Sequence, residues 1–298
     1  MKLATFAHPD GGEPRVGVVR GDEVVTLGVP DMRALFVGGV DATVAAGADG
    51  ERHRLEGLRL LAPIRPGKFF HTAGNFREHE EESKRVNWSH KIAPWIMFFQ
   101  NVDAIIGPDD PVIYPEHLTR ELDYELELAV VIAKDGKHFG PDEALDYIGG
   151  YVIFNDITAR DIQRREMESG VFSFCKAIDS FCPVGPWIVT PDELGDPHDL
   201  EMRLRVNGEE RQVSHSSRMS VSVPEIIAQY SSAGYRAGDL VSTGTVSGVA
   251  AFSEDPSAWY LKPGDVMECE IENLGVLRNP VISWQEAYGV PAPPRVEW

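Results

Sequence analysis

The chain has 298 residues, 43% of them hydrophobic and 25% charged, a balance that suits a globular protein with a substantial core. Its formal net charge of −19 repels phosphate backbones, so nucleic acid is not expected as a partner, and no apolar run reaches the length of a membrane helix. Cys175, Cys182 and Cys269, without a C-x-x-C pair, offer neither a disulfide framework nor a zinc knuckle and read as buried free thiols.

In chain order, the opening MKLATFAHPDGG lacks the basic-then-apolar layout of a secretory signal, which makes a cytoplasmic location the expectation. KLATFA, RVGVVR and EVVTLG read as short strands joined by glycine turns, and PDMRALFVGG as a short helix with a glycine stop. The proline-rich LLAPIRPGK marks a junction, predicting a small N-terminal domain over 1–61 and a larger domain over 62–298. GNFREHEEES, from Gly74 to Ser83, has no apolar face. It is either a solvated helix stitched by Glu80–Lys84 and Glu81–Arg85 pairs, or an element that orders only over a bound molecule.

Further along, ELDYELELAVVIA predicts one long strand. GGYVIFND predicts another, ending in Asp156 before a helix that opens on the Thr-x-x-acid pattern of TARD. Asn207–Gly208 sits between alternating residues and signals a hairpin. SVPE opens a second capped helix, and GDVMECEIENLGVLRNPVIS predicts two antiparallel strands around Asn273–Gly275. The tail GVPAPPRVEW is expected to be extended. Strands without regularly alternating helices favour an α+β or mostly-β sandwich or roll over a doubly wound sheet, and no glycine-rich nucleotide motif is present.

The carboxylates carry the chemistry. In a strand, Asp123, Glu125 and Glu127 project to one side. Such a pattern alone reads first as the wet face of an antiparallel strand. Asp156, at the end of the next strand, changes the weighting, although a helix-capping aspartate is the bland alternative and Thr158 already offers a cap. If Asp156 meets Glu125 and Glu127, three like charges crowd together unless a cation joins them. All-oxygen ligands suit Mg²⁺, Mn²⁺ or Ca²⁺ rather than zinc.

YELELAVVI, GGYVIFNDITARDIQ, KAIDSFCPVGPW from Lys176 and VSTGTVSG, in this order and spacing, resemble the fumarylacetoacetate hydrolase superfamily over roughly residues 62–282. The resemblance implies a mixed β-roll, usually a homodimer and often with a small N-terminal α+β domain. It implies one Mg²⁺ or Mn²⁺ on Glu125, Glu127 and Asp156, and hydrolysis, decarboxylation or tautomerisation of keto acids. GNFREHEEE resembles the family's lid, with His79 and Glu82 as its catalytic pair: an imidazole that takes a proton from water and a carboxylate that orients it. Lys176 is the matching cation beside developing charge. Gln163 resembles a substrate-contacting glutamine, on a helix face shared with Arg160 and Arg164; Arg160 reads as structural. Thr245 in TGT is a candidate donor to substrate, with a structural turn as the alternative.

Departures from the family pattern fall at four places. Gln100 stands where many members carry a lysine, which alters the expected contact to a substrate carboxylate. Arg218 occupies a usually acidic position, TGTVSGVAAF departs from the usual loop after Gly248, and SKRVNWSHKIAPW lengthens the lid, with Trp88 and His90 as candidates to line the entrance. The leading expectation is a metal-dependent hydrolase that cleaves a C–C bond in a 2,4-diketo acid. A decarboxylase or tautomerase on the same site is the second expectation.

Overall fold

The structure, a computed structural model, describes residues 1–85, 96–171 and 173–295, so Trp88 and His90 lie outside the described residues. Its framework is one large, mostly antiparallel sheet. In spatial order this sheet runs Arg52–Arg54, Glu23–Thr26, Arg15–Arg20, Lys2–Ala7, Cys182–Val189, Ile148–Asn155, Leu126–Ile132, Leu240–Thr245, Phe69–Ala73 and Ile96–Phe99. A second sheet orders Glu209–His215, Glu201–Val206, Val266–Ile271, Gly275–Ser283 and Val112–Tyr114. Parallel pairings of Leu240–Thr245 with Phe69–Ala73, and of Gly275–Ser283 with Val112–Tyr114, make this the mixed α+β roll that the sequence leads one to expect. Among the described residues, no helix is long and apolar enough to cross a membrane.

The N-terminal strands extend the large sheet directly, with Lys2 opposite Val189 and Leu3 opposite Ile188. The predicted short helix forms over Met32–Gly38. The Asp31 carboxylate accepts the Ala34 N–H at 2.8 Å at its start, and Gly39 ends it at φ 84°. Met32, Leu35 and Phe36 pack into one apolar cluster with Ala129, Val131 and Val152.

The strand Leu126–Ile132 is buried along its whole length. Leu126, Leu128, Val130 and Ile132 face a cluster containing Leu204, Met267 and Leu277 of the second sheet, while Ala129 and Val131 face the N-terminal cluster. Each buried leucine or valine contributes about 1.5–3 kcal/mol, and neither face is wet. The solvated-strand reading of the glutamates therefore fails, because this strand lies between two apolar layers.

Two local expectations are corrected. The long strand is broken at Tyr124–Glu125, and Leu122–Asp123 turns away to pair with Thr158–Ala159. Thr158 accordingly does not cap the helix Arg160–Met167; its hydroxyl donates to the Asp156 carbonyl at 3.0 Å instead. The other signals hold. Asn207 and Gly208 turn the Glu201–Val206/Glu209–His215 hairpin with φ 53° and 79°, and Glu225 accepts the Ser222 N–H at 2.8 Å at the start of Val223–Tyr230. The strands Val266–Ile271 and Gly275–Ser283 flank Asn273 as expected.

Candidate active site

Strand register brings the carboxylates together. Leu126 lies opposite Asn155 and Glu127 opposite Phe154. One step further, the Asp156 N–H donates to the Glu125 carbonyl at 2.8 Å, and the Glu125 N–H donates to Asn155 Oδ1 at 2.9 Å. These two bonds clamp the broken strand, so Glu125 and Asp156 face each other across the ladder's end. Glu127 is reached from the other side, accepting from the Ser242 hydroxyl and from the Gly244 N–H at 3.3 Å. One oxygen from each of Glu125, Glu127 and Asp156 lies within 4.8 Å of the other two, and all three side chains are buried.

Cations offset part of this charge. Lys176 Nζ donates to Asp156 Oδ2 at 2.6 Å, Thr158 Oγ1 at 2.7 Å and Glu125 Oε2 at 2.9 Å. Arg160 lies 2.8 Å from Asp123 Oδ2 and 2.6 Å from Glu125 Oε1. Burial acts to raise the Glu125 carboxyl, but Lys176 and Arg160 outweigh it and hold the group below the usual range. Burial likewise opposes Asp156, with Lys176 and then His71 prevailing. Glu127 goes the other way: burial, then the charges of Asp156 and Glu125, push it well above an ordinary glutamate. Asp156 Oδ1 is buried without a hydrogen-bond partner. An orphaned carboxylate oxygen, a glutamate short of positive charge and an all-oxygen donor set fit a hard divalent cation.

His79 and Glu82 sit on the helix Arg77–Arg85 and are buried with Ser83, so of the two alternatives for this segment the helix solvated all round does not hold. The Glu80–Lys84 pair forms at 2.9 Å, whereas Glu81–Arg85 does not appear among the described ion pairs. His79 Nδ1 stands 3.6 Å from Glu82 Oε2, and the imidazole lies against Phe252 with ring centroids 5.2 Å apart. Glu82 accepts the Gly248 N–H on both oxygens, at 2.9 and 3.1 Å. Glu78 binds Ser214 and Arg218, so the divergent arginine docks this helix.

A cavity joins the parts: its polar lining includes His79, Glu125, Glu127, Asp156, Arg160, Gln163, Lys176 and Thr245, and its apolar lining includes Ile96, Phe98, Met167 and Phe252. Gln163 Oε1 accepts from Arg160 at 2.9 Å, and its amide nitrogen remains for a ligand. Thr245 lines the cavity, but its hydroxyl donates to the Leu126 carbonyl at 3.1 Å, so the donor role is already taken by the fold. Gln100 is not among the described lining residues: its Oε1 accepts the Asn101 N–H at 3.0 Å beneath the strand end.

Residues 68–282 match the family described as fumarylacetoacetate (FAA) hydrolase C-terminal. The chain belongs to the fumarylacetoacetate hydrolase family. It is 36% identical over 296 residues to the mitochondrial oxaloacetate tautomerase of Xenopus laevis, covering 95% of this chain and 90% of that protein. It is 40% identical over 220 residues to a 2,4-didehydro-3-deoxy-L-rhamnonate hydrolase of Sphingomonas sp., covering 74% of each. Among solved structures, the maleylpyruvate hydrolase of Sphingobium sp. SYK-6, in complex with manganese(II) and pyruvate, superposes with a TM-score of 0.74 at 28% identity over 95% of this chain and 99% of that one. Enzymes of the fumarylacetoacetate hydrolase family thus include tautomerases and hydrolases of keto acids.

Against this family background, three parts of the site were not singled out by sequence. Arg160, read as structural, is 2% exposed at the centre of the carboxylate cluster. His71 stands 3.3 Å from Asp156. Glu166 accepts the N–H groups of Ser173, Phe174 and Cys175 and so fixes the turn that carries Lys176. An arginine at the start of a helix and a histidine in FFHTA carry no spacing signal of their own; a polar ring inside an otherwise mostly apolar, buried strand was the available hint for His71.

Proposed function

We propose that this chain is a divalent-metal-dependent hydrolase that cleaves the C–C bond between the two carbonyl-bearing parts of a 2,4-diketo acid. The observation that carries this reading is His79 lining the same cavity as the carboxylate triad, with Glu82 3.6 Å behind its ring. Glu125, Glu127 and Asp156 would hold Mg²⁺ or Mn²⁺, and the ion would supply Lewis-acid polarisation of the substrate's carboxylate and adjacent keto oxygen.

The chain's own residues perform the proton work. Glu82 orients the His79 ring, and His79 takes a proton from water. The hydroxide adds to the remote carbonyl carbon, and the bond from that carbon to the methylene breaks. Its electron pair passes into the keto-acid fragment as an enolate, and the imidazolium returns the proton to the methylene carbon. The products are a carboxylic acid and a 2-keto acid, with one water consumed. Lys176 and Arg160 keep Glu125 and Asp156 ionised and in place while this occurs.

Ile96, Phe98, Met167 and Phe252 favour an apolar group beyond the remote carbonyl. Among the described lining residues the cations are Arg160 and Lys176, and both face carboxylates of the protein. A panel of acylpyruvates with Mg²⁺ or Mn²⁺, followed by loss of enol absorbance and product identification, tests the proposal. Absence of a carboxylic-acid product from every member would defeat it.

The second reading is a keto–enol tautomerase or decarboxylase of oxaloacetate type, supported by the near full-length likeness to an oxaloacetate tautomerase. That chemistry needs no attacking water. Oxaloacetate turnover that persists in His79→Ala, with no acylpyruvate cleavage in the parent protein, would select it.

A further inference from the structure

The two oxygens of Asp156 are not equivalent. Oδ2 lies 2.6 Å from Lys176 Nζ and 3.3 Å from His71 Nδ1, while Oδ1 is buried with no partner. His71 comes from the strand Phe69–Ala73 and is 1% exposed. Its ring is held by three phenylalanines: Phe98 at 4.6 Å, Phe69 at 4.8 Å and Phe154 at 4.9 Å, the last perpendicular at 89°. That cage leaves the Nδ1 edge facing the carboxylate, and Nε2 is buried without a partner. A residue kept for packing alone would be served better by a fourth phenylalanine, which has no ring nitrogen to leave unpaired. A carboxylate only accepts, so a neutral imidazole facing it carries its proton on Nδ1.

We propose that His71 is a positioning residue for the metal centre. Together with Lys176 it occupies Oδ2 of Asp156 and so presents Oδ1 as that residue's single ligand atom. The inference rests on the reading of Glu125, Glu127 and Asp156 as the ligands of one ion. Groups behind a metal's ligands set their orientation, and their loss weakens binding about 10-fold to 100-fold.

The test is a Mn²⁺ titration of the metal-stripped full-length protein, reading free Mn²⁺ by electron paramagnetic resonance, with the unfolding midpoint of each metal-free variant measured alongside. His71→Phe and His71→Ala are expected to weaken Mn²⁺ binding about 10-fold to 100-fold. His71→Asn, whose amide can donate from near the Nδ1 position, is expected to stay close to the wild type. Should the phenylalanine variant fail to fold, the contrast between Ala and Asn carries the same comparison. Wild-type affinity in His71→Phe or His71→Ala overturns the role of His71 alone. An Asn variant as weak as Ala, with midpoints falling in step, also overturns it by assigning the effect to packing. A wild-type protein that binds no Mn²⁺ overturns the ligand reading, and His71 with it.

Discussion

Among the described residues, Glu127 differs from its two partners in having no ion pair with a cation. Its carboxyl holds a proton more tightly in the folded than in the unfolded chain, because burial and the adjacent Asp156 and Glu125 charges raise it. The metal-free protein therefore loses stability from this group as pH rises from the ordinary glutamate range towards the raised value. Glu127→Gln removes that slope. The variant's unfolding midpoint should gain on the wild type as pH increases, while Mn²⁺ should raise the midpoint of the wild type alone; parallel midpoints at all pH values would contradict this. Arg160→Ala would leave Asp123 and Glu125 buried without their guanidinium, and a loss of about 3–5 kcal/mol in denaturant unfolding is expected. At this scale the sequence was legible where residue types combine in a spacing, as in Glu125, Glu127 and Asp156. It was not legible where a single side chain acts through a partner distant in the chain: Arg160 reaches Asp123 and Glu125, and His71 reaches Asp156, only after the strands have paired.

The helix Arg77–Arg85 and the loop after Leu240–Thr245 work as one unit. Gly248 has φ 99°, and a Cβ there would lie 2.2 Å from the Arg211 carbonyl oxygen. The same residue gives its N–H to Glu82. Gly248→Ala should displace the loop, release Glu82 and lower kcat about 100-fold with Mn²⁺ affinity retained, as checked by turnover and metal titration. A variant with unchanged kcat would show that the Glu82 anchor has no part in catalysis. By its residues alone this helix stayed open between a solvated strip and a functional element, because its buried face is polar: His79, Glu82 and Ser83 are buried, His79 lines the cavity, and hydrophobic periodicity does not report that kind of burial. For the strand Leu126–Ile132, the wet-face alternative fails for a different reason. Its alternation is real at Glu125 and Glu127, but Ala129 and Val131 continue the same face into a second core. Turns were legible throughout, since Asn207–Gly208 and Asn273–Gly275 need backbone angles that few other pairs adopt.

Across the whole molecule, the large sheet and the N-terminal cluster join residues far apart in the chain. Met32, Leu35 and Phe36 pack with Ala129 and Val131, which follow Glu127 on the same face of its strand, and with Val152 of the neighbouring strand. Deleting residues 1–61 would uncover that surface, so the shortened chain is expected to aggregate or to lose its cooperative unfolding transition; a soluble, cooperatively folding fragment would contradict this. This coupling was hidden in the sequence, where the proline-rich junction is visible and the pairing of Lys2–Leu3 with Ile188–Val189 is not. The same sheet fixes the register that sets Asp156 beside Glu125 and brings Ser242 and Gly244 to Glu127. Anomalous diffraction from crystals of the full chain equilibrated with Mn²⁺ addresses that arrangement directly. One ion per chain is expected, within coordination distance of Glu125, Glu127 and Asp156 Oδ1; an ion bound elsewhere, or none at that position at saturating Mn²⁺, would contradict it.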